Sequence, residues 1–118
     1  MTPDLRRRKA TWRLALCILA VAALSATQRS QTFTGTITDS MCDDANHSRM
    51  RMGATDAECA VACADAHDAA FVLFDGKTAY SLSDQKTPQK FAGQRVTVSG
   101  TLDPRTKTIT VESIRAAR

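Results

Sequence analysis

Four residues carry the types and spacing for chemistry: Cys42, His47, Cys59 and Cys63. Three thiols and one imidazole make the donor set of a structural zinc site. Cys59 and Cys63 stand four apart, so on a helix they share one face and form a pair of arms for one ion. His67 continues the same spacing; each step drifts by only about 40° round a helix axis, which makes it a less favoured further ligand. Met41, Met50 and Met52 lie in the same stretch. Thioethers are soft donors that suit Cu(I), so zinc is expected first and copper second, with Met50 a further candidate ligand. Taken singly, each Met reads more simply as core filler.

Two other chemistries compete for the same thiols. With Cys17 in a leader-like segment, three cysteines remain, and an odd number leaves one thiol over after a single bridge. Cys59 and Cys63 sit near the upper limit of disulfide reach if the helix is continuous. The disulfide alternative is therefore Cys42 with Cys59 or Cys63, a clamp favoured by an oxidising compartment. The last option is a reactive thiol paired with His47 or His67. Redox cysteines are usually two residues apart at a helix N-terminus, whereas these are separated by three residues and sit a turn inside. No hydrolytic triad, phosphate loop or carboxylate pair stands out. The expectation is a protein that is not an enzyme, with thiol redox activity as the alternative.

The elements that must position these residues read as short strands with one helical excursion. Thr32 to Thr38 alternates, with Phe33, Gly35 and Ile37 on one face and threonines on the other; Gly35 marks a bulge or a close backbone approach. Between Met41 and Ala54 the pattern is indistinct, with Asp43-Asp44 and Gly53 able to bound a short helix. Thr55-Asp56-Ala57-Glu58 is a capping box that opens an alanine-rich helix over 56–67. Strands follow at 71–74 and 78–82, joined by a type I′ turn at Asp75-Gly76. Thr87-Pro88 starts a short helix over 88–92 that ends at Gly93, with Phe91 as buried anchor. Strands at 96–102 and from 109 complete the set, with a bulge or strand end near Glu112-Ser113. The fold class is mainly β: a small five-stranded OB-fold-like barrel, with a helical Cys/His insertion (about 41–68) between strands 1 and 2 and a short helix between strands 3 and 4.

Residues 1–26 read as a signal peptide. Arg6 to Lys9 are basic, Leu14 to Leu24 are almost wholly apolar, and Ala23-Leu24-Ser25 are suited to cleavage. The run is short of the roughly 20 residues of a membrane span, so no stable membrane insertion is expected after cleavage. The remaining 27–118 make one domain, periplasmic or secreted. The leader also holds the excess charge: 27–118 carry eleven basic and eleven acidic residues. Residues 39–68 hold seven acids against Arg49 and Arg51, a block that reads most simply as a solvated acidic face. With that block and too few spare aromatics for a stacking platform, nucleic acid is not an expected partner. A protein, peptide or small-molecule partner stays open.

Phe33 to Cys42, the Cys59-x-x-x-Cys63 pair and Phe91 to Leu102 together resemble an uncharacterised family of small secreted bacterial proteins. The resemblance covers nearly all of 27–118. The last of these stretches also resembles periplasmic bacterial OB-fold proteins. The resemblance implies export and a small β-barrel and supplies no mechanism. Cys42, His47, Cys59 and Cys63 match its motif; His67 does not belong to it.

Overall fold

The computed structural model describes residues 28–118, and the expected leader lies outside the described residues. Five strands form: β1 (Gln31–Asp39), β2 (Phe71–Phe74), β3 (Ala79–Leu82), β4 (Arg95–Asp103) and β5 (Thr108–Ala116). One α-helix, α1 (Asp56–His67), and two 3-10 turns, His47–Arg49 and Thr87–Phe91, complete the described elements. Among them no helix is long and apolar enough to cross a membrane.

The strands make one mixed sheet in the order β1-β2-β3-β5-β4, closed into a ring by β4 pairing back onto β1. All pairs are antiparallel except β3 with β5, which meet in parallel at Ser81–Thr108 and Leu82–Ile109. β1 is the hinge of the closure. Its first half, Gln31 to Thr36, pairs with β4, and its second half, Thr36 to Asp39, pairs with β2. Gly35 sits at this changeover, where a Cβ would collide with the backbone carbonyl of Phe74, so the close approach expected there is present. The bulge expected in the last strand is present too: Ser99 faces Ser113 and Gly100 faces Val111, leaving Glu112 as the extra residue.

Inside the ring, Ile37, Leu73, Val96, Val98 and Ile109 are fully buried. Ala60 of α1 joins that core, with Ala57, Val61 and Ala64 packed against it. The helix begins as the capping box requires. Glu58 N–H donates to Thr55 Oγ1 at 3.1 Å, and Glu58 Oε2 accepts Thr55 N–H at 3.1 Å. Asp68, left-handed at φ 54°, closes it, and its N–H donates to the Cys63 carbonyl. The excursion from β1 to β2 is pinned at its base. Ser40 N–H donates to the Ala70 carbonyl at 2.8 Å, and Ala70 N–H donates back to Ser40 Oγ at 3.0 Å.

Three local expectations are corrected. The tight turn after β2 is centred on Gly76-Lys77: Asp75 N–H donates to the Thr78 carbonyl, and Gly76 alone of these residues has positive φ, 101°, so no type I′ turn forms. Asp75 instead turns its carboxylate back onto the Lys77 and Thr78 amides at 2.8 and 2.7 Å. The short helix before β4 is a 3-10 turn that already includes Thr87; Asp84 accepts the Lys86 and Thr87 amides in place of a Thr87 cap, and Pro88 is buried while Phe91 is half-buried. Between Met41 and Ala54 only the turn His47–Arg49 is helical. Asp44 Oδ1 accepts the Asn46 amide and Asn46 Oδ1 accepts the Ser48 amide, so side chains take the bonds that a helix would make.

Candidate metal centre

β1 runs one residue further than its alternation suggests, and that extension builds the site. Thr38 belongs to the outward-facing threonine series by pattern, and Asp39 brings a carboxylate to the apolar face of Ile37, yet both are fully buried. They are covered because the 41–55 segment and α1 fold over the C-terminal end of β1. Thr38 Oγ1 donates to the Cys42 carbonyl at 2.8 Å. Asp39 Oδ1 accepts the backbone amides of Met41 and Cys42 at 2.9 and 3.0 Å, an Asx-type turn that fixes where Cys42 points. The other carboxylate oxygen, Oδ2, lies 3.2 Å from His47 Nε2. Donor atoms of Asp39, Cys42 and His47 all fall within 4.8 Å of one another, and all three residues are buried.

The second nitrogen of His47 carries a further clue. Nδ1 is buried without a hydrogen bond, although Asp56 Oδ1 of α1 is 3.3 Å away, outside hydrogen-bonding alignment. An imidazole held between two carboxylates, with one nitrogen unsatisfied, fits a ring whose Nε2 ligates a cation beside Asp39 while Nδ1–H turns to Asp56, the arrangement in which a carboxylate orients a ligating histidine.

The helix brings Cys59 and Cys63 to the same side, and both are fully buried. Burial pushes the Cys63 thiol above its ordinary range, and the charge of Asp39 and a hydrogen bond to it add to the effect, as do the neighbouring thiols of Cys42 and Cys59. Burial likewise raises Cys42, with Asp39 and Cys59 contributing and Arg49 opposing. Cys59 serves the adjacent loop: its Sγ accepts Met52 N–H at 2.9 Å and faces the Met50 carbonyl at 3.6 Å. All three thiols are free, so neither version of the expected clamp, Cys42 with Cys59 or with Cys63, is formed in this structure.

Of the residues singled out by sequence, the structure gathers Cys42 and His47 around one point, sets Cys63 against Asp39 and places Cys59 behind them. His67 is exposed at the end of α1, and the Met50 side chain is exposed as well. Spacing marks neither Asp39 nor Asp56 as a ligand: Asp39 counts in the sequence only within the acidic block of 39–68, and Asp56 only as the start of a helix. The available signal for Asp39 was its place three residues before Cys42, an acid directly following an alternating strand.

The fold and site together define a small β-rich domain whose five-stranded mixed sheet closes on itself and whose helical excursion buries an Asp/Cys/His group able to hold a metal. Residues 68–117 match a protein family of unknown function, DUF5818. That stretch takes in β2 to β5 and the Phe91–Leu102 segment of the resemblance, but not β1 or the Cys/His residues, so the match covers less of the chain than the resemblance implies. No curated protein and no solved structure matches the chain.

Proposed function

We propose that this is an exported β-barrel binding module that coordinates one metal ion, zinc first and copper second, through Cys42, His47 and Asp39, with Cys63 completing the set and Cys59 in reserve. The observation that carries this reading is the buried Asp39–Cys42–His47 group with mutually close donor atoms. A carboxylate, a thiolate and an imidazole are the borderline donors that zinc takes, commonly four at a time. The strand order, with β3 and β5 parallel and the rest antiparallel, supports assigning the ring to the OB type. The basic and apolar run of the first 26 residues supports export.

A thiol nucleophile or redox catalyst is disfavoured by the same geometry. Burial and the neighbouring carboxylate hold Cys42 and Cys63 as neutral thiols, and the thiolate is the form that attacks. A bound dication offsets that carboxylate and displaces the thiol protons, so what hinders catalysis is compatible with metal binding.

Metal content of protein isolated without reductant and again after reduction tests the proposal. About one equivalent is expected. It should be lost in Cys42→Ser, His47→Ala and Asp39→Asn, and weakened in Cys63→Ser. Reduced, folded protein that takes up no zinc or copper would end the metal reading and leave a metal-free interaction domain with a protein, peptide or small-molecule partner.

A further inference from the structure

Among the described residues, the large hydrophobic side chains that are exposed are Met41, Met50 and Met52, at 43, 44 and 37%. A scattered exposed apolar residue needs no explanation. Here all three are thioethers, all three fall within one short segment, and among the described residues every Leu, Ile, Val and Phe is at least partly tucked away. The plain reading of each Met as core filler is therefore excluded.

The backbone of each is tied to the buried group. Met41 N–H donates to Asp39 Oδ1, Met52 N–H donates to Cys59 Sγ, and Cys59 faces the Met50 carbonyl. The three exposed methionines are thus anchored by their backbones beside the residues that bury the thiols. We infer that Met41, Met50 and Met52 form an outer capture site for a soft monovalent cation, Cu(I), which then passes inward to the thiols of Cys42 and Cys63. A thioether is a soft, neutral donor that prefers Cu(I) to zinc. It carries no proton to displace, and it cannot be lost to a disulfide. It therefore does not depend on the redox state of the thiols beneath it. The inward step is ligand exchange alone: the cation keeps its oxidation state, thioether bonds are released, and each thiol that ligates gives its proton to water. The inner half of the inference rests on the metal reading above, whereas the outer site stands without it.

Ag(I), a redox-inert and diamagnetic stand-in for Cu(I), is the probe, added to the full chain with methionine methyl groups labelled with 13C. The methyl resonances of Met41, Met50 and Met52 should shift at the first additions, followed by the ultraviolet band of silver thiolate. In the Met41→Leu/Met50→Leu/Met52→Leu variant, whose changes lie on the surface and conserve volume, the thiolate band should develop more slowly. In a Cys42→Ser/Cys59→Ser/Cys63→Ser variant the methyl shifts should persist. Methyl shifts without a thiolate band would uphold the outer site and sink the inner metal reading. A thiolate band that develops equally fast in the Leu variant, or methyl resonances unmoved by Ag(I), would overturn the inference and leave the exposed thioethers as a protein-docking face.

Discussion

His47 presents its two ring nitrogens to two different carboxylates, Asp39 on β1 and Asp56 on α1, at 3.2 and 3.3 Å. The pair is unequal. Asp39 is fully buried and its other oxygen already holds the Cys42 turn, whereas the Asp56 side chain is 60% exposed. On the proposed metal reading, that inequality makes Asp39 the ligand and Asp56 the orienting partner. Asp56→Asn should leave the fold intact and weaken metal binding by roughly 10- to 100-fold, the usual effect of losing such a partner. Competition against a chromophoric chelator measures it, and an unchanged affinity would remove Asp56 from the site.

At the scale of elements, three glycines separate fit from conformational freedom. A Cβ on Gly35 would strike the Phe74 carbonyl at the crossing of β1 and β2, where only backbone can yield. Gly93 has φ of 74°, and a Cβ there would meet the Ala57 amide of α1 at 2.8 Å. Gly76 also has positive φ, 101°, but opens onto space. Urea unfolding should therefore rank the alanine variants. Gly76→Ala should cost about 1–3 kcal/mol of backbone strain. Gly35→Ala should cost more, on the order of 4 kcal/mol, the range of a clash that the fold cannot relax. Gly93→Ala should fall between them and, because it presses on the first turn of α1, should also loosen the metal site. Gly35→Ala proving as mild as Gly76→Ala would mean that the ring is not closed as tightly as this register requires.

For the whole molecule, stability against pH has two limbs. Asp84 is held below its ordinary value first by the Thr87 hydroxyl and then by the Thr87 and Lys86 amides; Asp75 is held down by the Thr78 and Lys77 amides. A depressed carboxyl contributes stability that is present above its unfolded pKa, 3.8, and is lost as pH falls through the lower folded value. Cys42 and Cys63 are raised from 9.0, so their contribution is fully present below that value and is lost as pH rises through the folded pKa values. Thermal melting of metal-free protein should accordingly be level between these limits as far as the four groups are concerned, and should fall on both sides. Asp84→Asn should flatten the acid limb and Cys63→Ser the alkaline one. An alkaline limb unaffected by Cys63→Ser would show that the thiol is not buried beside Asp39.

What the sequence by itself determined is what neighbouring residues settle among themselves. The capping box opens α1 at Asp56 because Thr55 and Glu58 satisfy each other's amides across one turn, and the helix keeps the expected bounds. The strands and the bulge at Glu112 follow from period-two alternation and its break. The four-residue spacing put Cys59 and Cys63 on one buried face, whereas His67, the less favoured residue at the same spacing, lies exposed, because periodicity does not tell where a helix clears the surface that it covers. Only the tertiary structure decided that Thr38 and Asp39 are buried, since that depends on the 41–55 segment folding over the end of β1. It alone decided that the candidate ligand set includes a carboxylate, because Asp39 and His47 meet through a turn whose path is fixed by Asx bonds rather than by any repeat. It also turned three apparently core methionines outward, an outcome that packing space sets and hydrophobicity does not.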